Sequence, residues 1–214
     1  MSELKNYEDH TKEIKEIING KIYYMSGGTS LHSIIIKRLR DEFIKYFIKK
    51  NNEKCDVHTE GLNIFLNPKD KKNYVEPDIS IICDDSKFFK RGYKGIPELI
   101  IEVASRKTRQ KDRGDKYKLY EKSNVKEYWL VEPRLKSIEQ YILKDDGYNL
   151  NALVTLPNDP DEPESDEDEP KSEENNPNAI NAASILKAMV FEGLEINLND
   201  VFKPGDENFL REDD

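Results

Sequence analysis

Three short apolar runs set the terms on which this chain can fold. Val75–Cys83, Glu98–Ala104 and Glu127–Val131 are almost continuously hydrophobic, and a stretch at helical spacing, Asp112–Ser123, lies between the second and the third. Strands that are apolar on both faces must be covered on both faces, which predicts an α/β domain built on a sheet flanked by helices. A carboxylate inside such a strand is costly, by several kcal/mol or more when it is unpaired. Two acids sit there nonetheless. Asp78 opens Pro77-Asp78-Ile79-Ser80-Ile81-Ile82, and Glu102 interrupts Leu99-Ile100-Ile101-Glu102-Val103. A salt bridge to a nearby base would satisfy either one taken singly. On strands that could be neighbours, the two together make a hard-oxygen site suited to Mg2+ or Mn2+.

The helical stretch adds a cation. Lys116, Leu119, Tyr120 and Ser123 fall on one stripe that should face the sheet. A lysine on that stripe either snorkels past the edge or sets its ammonium beside the two carboxylates. Asp112 lies four residues earlier on the same face.

The remaining elements follow from turn chemistry and periodicity. Glu13–Ile18 and Lys21–Met25 flank Asn19-Gly20, the pair that supplies the positive φ angles of a type I′ hairpin. A loop over residues 26–30 ends in a capping residue, and a helix runs on to about Lys49 with Leu31, Ile34, Ile35, Leu39, Phe43, Phe47 and Ile48 at helical spacing. Lys54–Leu66 reads as one or two strands interrupted at Gly61. Ser137–Leu143 and Tyr148–Leu156 pair around Asp146-Gly147, and near the C-terminus a short helix accompanies a strand over Leu194–Leu198.

Charge is distributed unevenly. Residues 157–178 hold ten acids, one base, five prolines and no apolar side chain apart from proline, a composition that cannot offset chain entropy and predicts a disordered insertion. That segment accounts for the whole net charge of −9, so the rest of the chain is neutral. Ser86–Lys118, by contrast, carries eleven bases against four acids. Such a local basic field suits a polyanionic partner, although a solvated surface would also explain it. The single domain is expected over residues 1–156 and 179–202, with an acidic tail at 203–214. Cys55 and Cys83 cannot make a disulfide framework and stand in no metal-ligand spacing. With no apolar N-terminal run and no membrane-length apolar stretch, a cytoplasmic protein without membrane contact is expected.

Pro77-Asp78 followed about two dozen residues later by Glu102-Val103-Ala104-Ser105 resembles the PD-(D/E)XK nuclease signature. The surrounding text is similar to one branch of that superfamily, the putative restriction endonucleases once described as a domain of unknown function. The likeness includes Asn19-Gly20-Lys21-Ile22-Tyr23-Tyr24-Met25-Ser26, His32, Val75-Glu76-Pro77-Asp78 and Gly95-Ile96-Pro97-Glu98-Leu99-Ile100-Ile101. It continues through Lys111-Asp112-Arg113-Gly114-Asp115-Lys116, Leu119-Tyr120, Glu127-Tyr128-Trp129-Leu130-Val131 and Gly193-Leu194-Glu195-Ile196. The superfamily lysine two residues after the acid is here Ala104. This branch takes its lysine from the following helix, which makes Lys116 the candidate, ahead of Lys107 and Lys111.

The resemblance implies a restriction-endonuclease-like mixed sheet flanked by helices, with the N-terminal hairpin, and a Mg2+- or Mn2+-dependent endonuclease acting on DNA. Asp78, Glu102 and the Val103 carbonyl would hold the ion, and Lys116 would orient the attacking water. His32, Glu60, Asp112 and Tyr120 would stand behind these groups. Arg106, Lys107, Arg109, Lys111 and Arg113 would grip flanking phosphates. A homodimer is an expectation from the resemblance alone. The run Lys87-Phe88-Phe89-Lys90-Arg91-Gly92-Tyr93-Lys94 interleaves bases with aromatics, which suits stacking or groove contact but equally an ordinary loop. Two other readings compete: a nucleic-acid-binding protein that keeps the fold without activity, favoured by Ala104, and an interaction module whose active part is the acidic segment.

Overall fold

The computed structural model describes residues 14–25, 28–67, 69, 73–105, 108–157 and 184–210. The acidic segment beyond Pro157, the last four residues of the tail, Arg106 and Lys107 all lie outside the described residues.

Strands β1 (Ile14–Ile18) and β2 (Lys21–Met25) form the expected hairpin. Its turn residues Asn19 and Gly20 both have positive φ, 52° and 79°, as a type I′ turn requires. Helix α1 (Ser30–Lys50) begins where the Thr29 side chain accepts the His32 N–H, and ends where Asn51 turns left-handed at φ 48°. Its buried stripe is Leu31, Ile35, Ile36, Leu39, Phe43 and Phe47.

Strands β3 (Asp56–Thr59) and β4 (Ile79–Ile82), a small hairpin of β5 (Phe88–Phe89) and β6 (Gly92–Tyr93), and strand β7 (Leu99–Val103) come next. A helical crossover follows, made of α2 (Arg109–Lys111), a π turn (Asp112–Lys116) and α3 (Tyr117–Lys122). It leads into β8 (Glu127–Glu132), after which β9 (Ser137–Lys144) and β10 (Gly147–Thr155) add the antiparallel pair. Then come β11 (Ile185–Lys187), β12 (Glu195–Asn197), α4 (Leu198–Val201) and a 3-10 helix (Asp206–Leu210), whose Asp206 pairs with Arg38 of α1 at 2.6 Å.

Six strands make one sheet in the order β10-β9-β8-β7-β4-β3. Every neighbouring pair is antiparallel except β7 and β8, which are parallel and joined by the helical crossover. The sheet is therefore mixed. Alternation sends Ile79, Ile81, Leu99, Ile101, Val103, Trp129 and Val131 to the face covered by α1. Ile82, Ile100, Tyr128 and Leu130 point the other way, against Tyr120 of α3 and Ile18 of the hairpin. Glu102 shares this second face, beneath the helical crossover.

Several expectations need correction. Val75–Cys83 is not one strand: Val75 pairs with Ile64, and sheet pairing resumes only at Ile79, past Pro77, which has no N–H to give. The C-terminal strand has an unforeseen partner in β11. The helical stretch is broken in phase by the π turn, in which the Tyr117 N–H reaches back to the Asp112 carbonyl. Cys55 and Cys83 are joined in a disulfide. Asp56 pairs with Ile82, so the residues just outside that pair face each other directly, which their sequence separation of 28 conceals. Disulfides persist in oxidising compartments, so a cytoplasmic setting does not foretell this bond. No helix among the described residues is long and apolar enough to cross a membrane.

Candidate active site

Ile79 pairs with Ile101, so one further step in register sets Asp78 beside Glu102. Both side chains are buried, at 5% and 2% exposure. The Val103 N–H donates to Asp78 Oδ2 at 2.7 Å, fixing that carboxylate to the strand that carries its partner. Lys116 comes down from the helical crossover and is 1% exposed. Its Nζ lies 2.8 Å from Glu102 Oε1, and the Tyr120 hydroxyl donates to the same oxygen at 2.5 Å. Asp112 stands 3.9 Å from the same ammonium. Asp112, Lys116 and Tyr120 are all buried toward the sheet, across the π turn.

The second clamp on Lys116 is Glu16, from β1, which sequence reasoning missed. It is fully buried, and its Oε1 lies 2.8 Å from Lys116 Nζ while Oε2 accepts from Lys111 Nζ at 2.6 Å. Oε1 also accepts the Glu76 N–H at 3.1 Å. One signal was available: in a strand with period two, Glu16 shares a face with core residue Ile18. Burial opposes the ionisation of Glu16, but Lys116 and Lys111 more than offset it and hold its carboxyl below the usual range.

Around Lys116 the balance goes the other way for its remaining neighbours. Burial, aided by Asp78 and Asp112, pushes Glu102 well above the usual carboxylate range despite the ammonium beside it. Burial likewise raises Asp112, against the pull of Lys116. Burial works against the charge on Lys116, but Glu102 and Glu16 overcome it and raise its pKa well above the ordinary value, so it stays an ammonium. Burial and Glu102 push Tyr120 up as well, which keeps its hydroxyl a donor.

His32 enters from the first turn of α1. Its Nε2 lies 3.2 Å from Asp78 Oδ2 and its Nδ1 3.7 Å from Glu60 Oε1. A Cβ at position 28 would stand 2.5 Å from Nδ1, so Gly28 lets the backbone pass this close to the ring. Burial disfavours charge on His32, but Asp78 and then Glu60 more than compensate and raise its pKa. One atom each from His32, Glu60 and Asp78 lie within 4.8 Å of one another, close enough to share a cation.

The donor set fits a divalent ion. Asp78, Glu102, Asp112 and Glu16 are buried together, and the ammoniums beside them are Lys116 and Lys111. Burial raises Glu102 and Asp112 toward their protonated forms, a cost that a bound cation would relieve, and Asp112 Oδ1 and His32 Nδ1 are buried without a hydrogen-bond partner.

The expected phosphate-gripping residues are placed differently from the site acids. Arg109 pairs with Glu132 at 2.7 Å, Lys111 with Glu16 at 2.6 Å, and Arg113 forks onto Glu139 at 2.8 and 2.6 Å. Acids from three other strands have come to meet them. A further buried acid, Glu127, belongs to no site. It accepts four N–H groups, from Trp129, Gln140, Met189 and Val190, at 2.6 to 2.9 Å, and ties β8 to the chain after β11.

Comparison with known proteins identifies the family and the fold. The Uma2 family, described as putative restriction endonuclease, matches residues 1–171. An uncharacterized protein from Synechocystis is 32% identical over 146 residues, which is 68% of this chain and 74% of that protein. The crystal structure of a putative nuclease belonging to DUF820 from Anabaena variabilis superposes with a TM-score of 0.62, covering 94% of this chain and 93% of the other. At 16% identity it shows a shared fold. With its mixed sheet, N-terminal hairpin and paired strand acids, this chain belongs to the Uma2 family of putative restriction endonucleases.

Proposed function

We propose that the protein is a metal-dependent endonuclease that hydrolyses DNA phosphodiester bonds. The observation that carries this reading is a buried cluster of hard donors: Asp78 and Glu102 side by side at the end of neighbouring strands of a nuclease-like fold, with His32 and Glu60 beside Asp78 and Lys116 beside Glu102. Asp78 and Glu102, with the Val103 carbonyl, would hold Mg2+ or Mn2+, and His32 and Glu60 stand close enough to Asp78 to share it. Bound there, such an ion supplies a water of lowered pKa and polarises the phosphate. Lys116, fixed as an ammonium by Glu16 and Glu102, offsets negative charge that develops on the phosphate. Asp112 and Tyr120 keep Lys116 and Glu102 in place. Pairing of two copies, so that both strands are cut, belongs to the same proposal.

The test joins binding to chemistry. Millimolar Mn2+ or Mg2+ should raise the melting temperature, because a ligand of the native state alone stabilises it. Supercoiled plasmid should be nicked or linearised under the same conditions, and Asp78→Asn should abolish both effects. A melting curve indifferent to divalent ions would remove the metal assignment. Ala104, buried where the superfamily lysine would stand, supports a second reading, a nucleic-acid-binding protein without activity. Ion-dependent stabilisation without cleavage of any DNA would favour it.

A further inference from the structure

The basic field of Ser86–Lys118 is largely cancelled in space. Lys87 pairs with Asp84, Arg109 with Glu132, Lys111 with Glu16, Arg113 with Glu139, and Lys116 with Glu16 and Glu102. Among the described residues of this segment, Lys90, Arg91, Lys94 and Lys118 have no acidic partner, and the first three ride on one small element, the β5–β6 hairpin. All three are exposed, and no acid occurs between residues 86 and 97.

This hairpin is firmly seated. The Tyr93 N–H donates to the Asn63 carbonyl at 2.9 Å, and the Phe65 N–H donates to the Tyr93 carbonyl at 2.8 Å. A side chain at Gly92 would strike the Asn63 carbonyl oxygen at 2.1 Å, so the hairpin and the loop after Glu60 lie in backbone contact. Phe88 packs on His58 of β3 and on Tyr93. The cations rest on rings: Lys94 lies 4.2 Å from the centre of Phe89, and Arg91 lies 5.9 Å from that of Phe65. Between the hairpin and the loop is a cleft of about 460 Å³, lined by residues 61–63 and 88–92. Gly61 of its lining is one residue from Glu60, whose Oε1 lies 3.7 Å from His32 Nδ1.

We propose that this cleft, rather than the arginines of the helical crossover, is the surface that grips the nucleic-acid backbone. Lys90, Arg91 and Lys94 would contact successive phosphates and lead the strand toward Asp78. The inference rests on the nuclease reading and names its substrate-binding element. Three unpaired cations on a rigid support, beside a cleft of the size that takes small ligands, match a chain of evenly spaced anions better than an apolar or acidic protein surface.

The experiment is a titration of a labelled DNA duplex by fluorescence anisotropy, in EDTA, from 50 to 200 mM KCl. Three full-length proteins are compared: wild type, the Lys90→Ala/Arg91→Ala/Lys94→Ala variant, and a Lys122→Ala/Lys144→Ala/Lys203→Ala control. The control loses the same charge from exposed lysines elsewhere. Each phosphate contact contributes about 0.9 to the slope of log affinity against log salt. The hairpin variant should lose roughly 2–3 from that slope and bind about 10- to 100-fold more weakly at 50 mM, while the control stays near wild type. Equal slopes for wild type and hairpin variant, or equal losses in both variants, would overturn the hairpin assignment and leave the nuclease reading intact. A wild-type protein that binds no DNA in EDTA and none when Mg2+ is restored would overturn the nuclease reading itself.

Discussion

Glu16→Gln tests whether the unforeseen acid of the hairpin is part of the site's electrostatics. The change keeps size and shape while removing the charge that faces Lys116 at 2.8 Å and Lys111 at 2.6 Å. Glutamine can still accept the Glu76 N–H through its oxygen, but its amide group would face an ammonium. Removing one partner of a buried ion pair costs about 3–5 kcal/mol, chiefly because the other charge stays buried and unpaired. Lys116 keeps Glu102, so the lower end applies, about 3 kcal/mol. For a domain of this size that corresponds to a fall in melting temperature of about 6–12 °C. The pH dependence has a definite sign. The folded-state pKa of Glu16 is depressed by the two lysines, so its contribution is present above the unfolded value of about 4.3 and is lost as pH falls through the folded one. Glutamine does not titrate. The gap between wild type and variant should therefore be full at pH 7 and close progressively below about pH 4.5. Thermal unfolding followed by Trp129 fluorescence across pH 4 to 8 measures it. A gap under about 1 kcal/mol at pH 7, or one of the same size at pH 4, would refute the reasoning.

Lys116→Met should cost about 3–5 kcal/mol, because Glu102 loses its ammonium; adding Glu102→Gln should recover much of this by urea denaturation, with no plasmid cleavage by either protein. Glu127→Gln turns an amide toward N–H donors that now share a carboxylate, and should lower stability by about 2–4 kcal/mol in calorimetry without changing DNA affinity. Deletion of residues 157–178 should leave folding intact and shift the melting temperature by a few degrees at most, upward, since loop closure grows only logarithmically and the difference is roughly 1–2 kcal/mol. The same deletion should tighten non-specific DNA binding at low salt, and unchanged affinity there would make the segment a passive linker.

What could be read in the sequence was what one element reveals by itself. Asp78 and Glu102 stood out because a charge inside an apolar run has no other reason to be there, and Lys116 because its helical stripe faced a sheet. Asn19-Gly20 announced its hairpin through backbone sterics alone. Apart from the π turn and the break at Pro77, the failures involve partners far away along the chain. Glu16 lies on a hairpin strand whose partners the sequence does not name, and only the packed structure brings it to a lysine one hundred residues later. The basic run looked like a phosphate grip because its acids, Glu132 and Glu139, belong to strands that follow it. Cys55 and Cys83 meet through strand register, which spacing cannot supply.

The π turn at Asp112–Lys116 makes the crossover a helix with two angular phases. Residues before it are aligned with one set of partners: Arg109 with Glu132 and Lys111 with Glu16. Lys116, at the end of the turn, shares Glu16 with Lys111, and together with Tyr120 it meets Glu102. An α-helix advances about 100° per residue, so losing a single residue from the turn would rotate one half against the other by about that angle. No side-chain exchange can imitate or undo that rotation. Point mutations can therefore weaken individual contacts of the crossover one at a time, whereas a one-codon deletion would misalign a whole set at once. Drift in chain length is more dangerous here than drift in composition.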